Sequence, residues 1–356
     1  MSDSVQFRIE KKIARLHDPR RAFELSAIES EVRYDPLTSD TARICHFAFP
    51  KREVPELSQL IESTGKSCPF CPPALERVTP RFPDALVAGG RLRRGEAVLV
   101  PNLFPYDDVS AILIVSRAHH LPMDHVPPEL LADALKLARD FIALTAPALG
   151  GRDAYGIVTW NYMPPSGASQ VHPHMQVIVT DTPGNALRRE LEAETLFTLR
   201  HGRPFIEALL EAERGGPRWL AEGGGVSWWV PFCPAGLLGD AQAVIAGRST
   251  LTECSDAELD TFARTLARVL GAYARLSHWS FNLTLFPDAQ GQDRRRHWLT
   301  ARLLPRIYLH PKLHNSDVAY LQLLLAEKFA MVYPERHAAE LRALLTQAPG
   351  SSEPDG

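Results

Sequence analysis

No uninterrupted apolar run in the 356 residues approaches the about 18–20 needed to span a bilayer. The opening stretch, MSDSVQFRIEKKIARLHDPRR, lacks the apolar core of a secretory signal. An excess of one charge is missing too. Lys and Arg number 39 against 42 Asp and Glu, a net charge of -3. That excludes the basic field that non-specific nucleic-acid binding requires. Cysteine is scarce and odd in number, five in all, which argues against a disulfide framework. It favours reduced thiols or metal ligands in a cytoplasmic setting. The serine-nucleophile elbow G-x-S-x-G is absent as well; PSGAS is the nearest approach. The sequence therefore predicts a protein with no membrane and no nucleic-acid partner.

What is present is an ordinary globular composition, 45% hydrophobic and 23% charged. Residues 8–31 read as a charged, partly helical N-terminal extension, placed at 1–30. Strands are predicted at 97–101 and 110–116. A helix follows, opened by Pro127 and Pro128, with one apolar face at Leu131, Leu135, Ala138, Phe141 and Ile142. YGIVTWNYM and HMQVIVTD read as two more strands. The second half repeats that order. GVSWWVPFCP and AQAVIAG are strands, and SDAELDTFARTLARVLGAYARL is a helix with a Ser255/Glu258 capping box. SFNLTLF and HWLTARLLP are strands again. This is an internal duplication, with a first half at 31–200, a second at 201–345 and a disordered tail at 346–356. Thr300 and Arg302 occupy the strand where the first copy carries histidines, so only the first copy is chemically equipped.

The stretch SQVHPHMQVIVTD holds His172, His174 and Gln176 at alternate positions, which share one face of an extended strand. Pro173 marks an edge or a strand start. A neutral imidazole is a competent nucleophile toward phosphorus. A neighbouring amide can hydrogen-bond a non-bridging phosphoryl oxygen as charge shifts there. The plain alternative is a pair of surface histidines on an edge strand.

SCPFCPP holds Cys68 and Cys71 at the C-x-x-C spacing. A redox pair should open a helix, and Pro72 and Pro73 disfavour that reading. Two unpaired structural thiols are another reading. Zinc is favoured; it needs two more ligands for a tetrahedral structural site. The candidates are His119 or His120, together with His172.

Taken together, these stretches resemble the galactose-1-phosphate uridylyltransferase branch of the histidine-triad superfamily. The matching features, in family order, are RYDPLT, CPFC, VPNLFP, VSRAHHLP, WNYMPPSGASQVHPHMQ, WWVPFCP and FNLTLF with HW and a closing Pro. They span about residues 30–345. The most specific combination is H-P-H-x-Q eleven residues after Asn161, with C-x-x-C upstream. The resemblance implies an α+β fold of two tandem histidine-triad-like repeats, each an antiparallel sheet with a packed helix. It implies that His174 is the nucleophile that carries a nucleoside monophosphate and that Gln176 steadies the transferred phosphoryl group. It gives Asn161 and Ser169 to the phosphate loop, and Asn102 with Phe104 to base and ribose. Cys68, Cys71, His119 and His172 match the family's zinc ligands, His119 being chosen because SRAH aligns with the family's Ser-x-x-His. The implied enzyme is a nucleotidyltransferase like UDP-glucose–hexose-1-phosphate uridylyltransferase. It would move UMP from a nucleoside diphosphate sugar to a sugar 1-phosphate, as a cytoplasmic homodimer.

The sequence departs from the family pattern in several places. Thr300 and Arg302 replace histidines that hold an additional metal in some members, so no second metal is expected. Arg52 of the family's Pro-x-Arg is present, but Pro55 stands where a basic residue would follow. Near the C-terminus Val318 and Tyr320 remain, whereas Asn315 stands where a hexose-phosphate-binding Lys would fall, and Ala319 replaces a Gly. The acceptor therefore need not be galactose 1-phosphate. NLFP and the His119–His120 pair also resemble the adenylyl-sugar phosphorylases. Two alternatives follow. One is phosphorolysis of an ADP-sugar or dinucleoside polyphosphate by inorganic phosphate. The other is a nucleotide-binding scaffold that has lost turnover.

Overall fold

The computed structural model of the chain describes residues 5–45, 54–292, 296–310 and 312–347. Arg52 and residues 348–356 of the expected tail lie outside them, while Thr346 still closes a helix, Pro334–Thr346. The described strands run in chain order as follows. They are β1 (Arg8–Asp18), β2 (Glu24–Tyr34), β3 (Thr41–Cys45), β4 (Leu92–Arg94), β5 (Ala97–Pro101), β6 (Val109–Ile114) and β7 (Tyr155–Tyr162). The rest are β8 (His174–Thr180), β9 (Trp219–Gly223), β10 (Val226–Trp229), β11 (Ala241–Ile245), β12 (Phe281–Phe286), β13 (Thr300–Pro305) and β14 (Lys328–Ala330).

Ten of these strands form one sheet in the order β4-β5-β6-β8-β7-β12-β13-β11-β10-β9. From either edge inward the order is the same: β4-β5-β6-β8-β7 on one side, β9-β10-β11-β13-β12 on the other. The duplication read in the sequence thus becomes two like half-sheets joined through β7 and β12. Those two strands pair antiparallel with Asn161 opposite Asn282 and Thr159 opposite Thr284. The fold is α+β with antiparallel pairing throughout this sheet.

Strand alternation divides the sheet into a packed face and a chemical face. Met175, Val177 and Val179 of β8 are buried, as are Val158, Trp160 and Tyr162 of β7 and Phe281, Leu283 and Leu285 of β12. They join one core with the helices Pro128–Thr145 and Asp256–Arg275, which pack on each other. Full burial of each such side chain contributes about 1.5–3 kcal/mol. Gly156 lets β7 approach the first helix, for a Cβ there would come within 2.5 Å of Ile142. The Ser255/Glu258 capping box forms as expected and starts the second helix. His174 and Gln176 occupy the opposite face of β8.

In the second half that opposite face is covered. Trp229 of β10 and Val244 of β11 pack beneath Phe205, Ile206, Leu209 and Leu210 of the helix Phe205–Glu213. Arg302 is ion-paired with Glu190 of the helix Asn185–His201. In the first half the same face carries the histidines.

The helical expectation for 8–31 is corrected. That segment forms the hairpin β1–β2, paired from Arg8–Tyr34 to Asp18–Glu24. Apolar residues at 9, 13 and 16 mimic a helical stripe. However, Asp18 caps the turn through the Arg20 amide, and Ala22 and Phe23 adopt positive φ, reversing the chain. The guanidinium of Arg8 then sits 4.0 Å above the Tyr34 ring across the strands. The hairpin continues through β3 to β14 as a second sheet. Arg33 and Arg218 tie it to the body by converging on Glu335. No helix among the described residues is long and apolar enough to cross a membrane.

Candidate active site

Cys68 and Cys71 lie in the turn after a short helix, with the Phe70 amide donating to Cys68 Sγ at 3.4 Å. His119 follows β6, and His172 lies just ahead of β8. Pro173 is therefore a strand start in the sheet interior rather than an edge: its carbonyl still accepts from the Val115 amide. The structure brings these four residues together. Their ligand atoms all lie within 4.8 Å of one another. Cys71 Sγ is 3.4 Å from the Nδ1 atoms of both His119 and His172, and Cys68 Sγ is 3.6 Å from His172 Nδ1.

Each imidazole points Nδ1 inward and has its Nε2 held from outside. His172 Nε2 donates to the Ser116 carbonyl at 2.8 Å, and His119 Nε2 is 3.0 Å from Thr64 Oγ1. Such outer contacts fix the tautomer that leaves Nδ1 as a ligand. His120 turns away to Tyr162, 3.3 Å from its hydroxyl, so of the adjacent pair His119 joins the cluster. Burial lowers the pKa of His119, and it lowers that of His172 to about 4, so both imidazoles are neutral at pH 7. Burial, reinforced by Cys68, pushes the Cys71 thiol up to about 11. Two thiols and two imidazoles in this arrangement fit a tetrahedral, thiophilic ion, whose charge would release the thiol protons.

His174 opens β8. Its Nδ1 lies 2.8 Å from the backbone carbonyl oxygen of His172. A carbonyl only accepts, so Nδ1 carries the proton and Nε2 keeps its lone pair. Burial lowers the His174 pKa, which keeps that lone pair available at neutral pH. Phe70, between the two cysteines, packs against both rings, 5.3 Å from His174 and 6.0 Å from His172 between ring centres. Gln176, two residues on, is half-buried and accepts a hydrogen bond from the Tyr106 hydroxyl at 2.9 Å.

The remaining expected residues are arranged around this strand or away from it. Asn102 follows β5; its side chain accepts from the Phe104 amide at 3.1 Å and lies 3.3 Å from Ser110 Oγ. Phe104 is 80% exposed, a bare ring on the rim. Asn161 is half-buried on β7, and its Oδ1 accepts from Asn282 at 2.7 Å. Ser169 is exposed in the loop before β8, a loop entered at Met163 with φ +64° and turned at Gly167 with φ +86°. Tyr320 opens the short helix Tyr320–Leu324 on the surface, 64% exposed. No hydrogen bond or ring contact among the described residues joins it to His172 or His174.

Sequence reasoning missed Phe70, Tyr106 and Ser116, which touch His174, Gln176 and His172. Phe70 had a signal, being enclosed by the two cysteines. The other two meet the strand through a hydroxyl and a backbone carbonyl, contacts that no spacing announces.

No protein-family model matches the chain. An uncharacterized protein of Archaeoglobus fulgidus is 29% identical over 318 residues, 89% of this chain and 93% of that protein. An ADP-glucose phosphorylase from Arabidopsis thaliana, solved with bound ADP-glucose, has a TM-score of 0.68 at 16% identity, covering 88% of this chain and 98% of that one. A uridylyltransferase structure has a TM-score of 0.65 at 19% identity, covering 88% of this chain and 98% of that one. The chain thus has the fold of the uridylyltransferase and ADP-glucose phosphorylase structures over most of its length.

Proposed function

We propose that this chain is a nucleotidyltransferase of the galactose-1-phosphate uridylyltransferase branch, working through a covalent nucleotidyl-histidine at His174. The observation that carries the reading is the His174 Nδ1 to His172 carbonyl hydrogen bond of 2.8 Å, which leaves Nε2 as the nucleophile. A nucleoside diphosphate sugar binds with base and ribose near Asn102 and Phe104. Nε2 attacks the α-phosphorus; the new N–P bond forms as the bond to the bridging oxygen breaks, and sugar 1-phosphate leaves with that oxygen. The cation that develops on the ring is stabilised by the Nδ1–H bond to the His172 carbonyl. Gln176, Asn161 and the backbone around Ser169 hold the phosphoryl oxygens. An acceptor phosphate oxygen then attacks the same phosphorus, and the N–P bond breaks. In true histidine-triad hydrolases a third His stands in place of Gln176. Glutamine relays no proton to a leaving group, which favours transfer to phosphate over hydrolysis.

The metal proposed for Cys68, Cys71, His119 and His172 is zinc, in a structural role. It would supply a rigid anchor immediately before the strand that presents His174. The nucleotide proposed is UMP, the acceptor a sugar 1-phosphate, and the working form a cytoplasmic homodimer with Tyr320 and Arg52 at the acceptor end.

A second reading is phosphorolysis of an ADP-sugar by inorganic phosphate. It is supported by the Asn102–Pro105 segment NLFP and by Asn315 where a hexose-phosphate-binding lysine would stand. Incubation with UDP-glucose or ADP-glucose, each with galactose 1-phosphate or inorganic phosphate, separates the two by product. Release of a nucleoside diphosphate from ADP-glucose with phosphate alone selects the second. Silence with every pair selects a chain that binds nucleotide without turnover.

A further inference from the structure

The second half carries no histidine on β13, yet one of its side chains controls an amide of the first half. Asn282 stands opposite Asn161 at the junction of the two half-sheets. Arg306 donates through Nη1 to Asn282 Oδ1. With its oxygen engaged, Asn282 presents only its NH2. It donates to Asn161 Oδ1 at 2.7 Å and to the Ser166 carbonyl at 3.0 Å. Arg306 is itself fixed by Asp317, whose two carboxylate oxygens accept from Nε at 2.9 Å each. Asp317 is only 5% exposed, so this ion pair is shielded from solvent.

An unrestrained amide can present either its oxygen or its nitrogen, and only the nitrogen is useful to a phosphoryl oxygen. The chain Asp317–Arg306–Asn282 removes that choice for Asn161: its Oδ1 is taken, so its NH2 is left to donate. Thr159 pairs with Gln176, and Asn161 and His174 lie two residues further toward the same end of β7 and β8, on the same face. The Ser166 contact holds the Met163–Gly167 turn in the same arrangement.

We propose that Asn282 and Arg306 of the second half are positioning residues for the nucleotidyl-transfer site, aiming the Asn161 NH2 at the phosphoryl group carried by His174. This rests on the reading of His174 given above. The degenerate half is then a working part of the site rather than a remnant.

The test is the rate of nucleotidyl-adduct formation, with UDP-glucose and ADP-glucose as probes, in the parent, Asn161→Ala, Asn282→Asp and the double variant. Asn282→Asp keeps the shape and the Arg306 pairing but replaces the NH2 by an acceptor. It is expected to slow adduct formation about tenfold or more, with KM for the nucleotide sugar within about twofold, and with melting temperature and metal content near the parent's. In the Asn161→Ala background the same change should cost less than about threefold, because its effect travels through Asn161. If Asn282→Asp fails to fold, Asn282→Ala replaces it in the same four-way comparison. Equal rates for parent and Asn282→Asp, or fully additive losses in the double variant, overturn the positioning role alone. A parent that forms no adduct with either probe overturns the reading of His174 and this role with it.

Discussion

His174 Nδ1 lies 2.8 Å from the backbone carbonyl oxygen of His172, and His172 Nδ1 faces the sulfurs of Cys68 and Cys71. The ring proposed as nucleophile is therefore oriented by the backbone of a residue that could hold a metal. The candidate metal cluster and the strand that carries His174 are thus joined through one residue, His172.

Removing the metal should disturb chemistry as well as stability. The parent is expected to carry about one zinc per chain by elemental analysis. Cys68→Ser with Cys71→Ser should lose it, lower the melting temperature by about 5 °C or more, and slow adduct formation at least about tenfold. A parent purified free of metal, with full activity, contradicts the coupling.

Tyr106 should matter through Gln176. Its hydroxyl donates to Gln176 Oε1 at 2.9 Å, which leaves the Gln176 NH2 as the donor for the proposed phosphoryl contact. Loss of one such bond is worth about 1 kcal/mol, so Tyr106→Phe is expected to slow the first half-reaction about fivefold. In a Gln176→Ala background the change should have little further effect. Pre-steady-state rates of adduct formation measure both.

Acid should weaken the clamp between the small sheet and the body. Burial alone would raise the Glu335 pKa, but hydrogen bonds from Arg33 and Arg218 outweigh it and bring it down to about 2. The folded value lies below the ordinary 4.5, so the stabilisation is complete above 4.5 and is lost as pH falls toward 2. Its size at pH 7 is on the order of 3 kcal/mol before screening by solvent, and less than that at the partly exposed carboxylate. Urea denaturation of parent and Glu335→Gln should show a gap at pH 7 that narrows through pH 3. A gap independent of pH would contradict this origin.

Much of this arrangement was legible in the sequence, and the reasons differ by element. Alternation in HMQVIVTD and YGIVTWNYM marked β8 and β7, because their buried residues form one regular face. Ser255 and Glu258 marked a helix start that depends on local chemistry alone. The repeated element order foretold the two half-sheets. It could not foretell their junction, because nothing local specifies that Asn161 pairs with Asn282, 121 residues away along the chain. The helical expectation for residues 8–31 fails for a related reason. Its apolar spacing is helical, and only the turn at Asp18–Phe23 and pairing across the strands decide against a helix. Of the four cluster residues, Cys68 and Cys71 are marked by their C-x-x-C spacing, whereas nothing local ties them to His119 and His172. Tyr106 and Arg306 reach their partners, Gln176 and Asn282, across 70 and 24 residues of chain, and such contacts leave no trace in spacing.

The most direct measurement is intact-protein mass after brief mixing with UDP-glucose or ADP-glucose, on the parent and on His174→Ala. The account predicts that the parent gains the mass of one nucleoside monophosphate per chain, whose identity names the base, and that His174→Ala gains nothing. An adduct of equal yield on His174→Ala, or turnover of nucleotide sugar by that variant at the parent's rate, would contradict it.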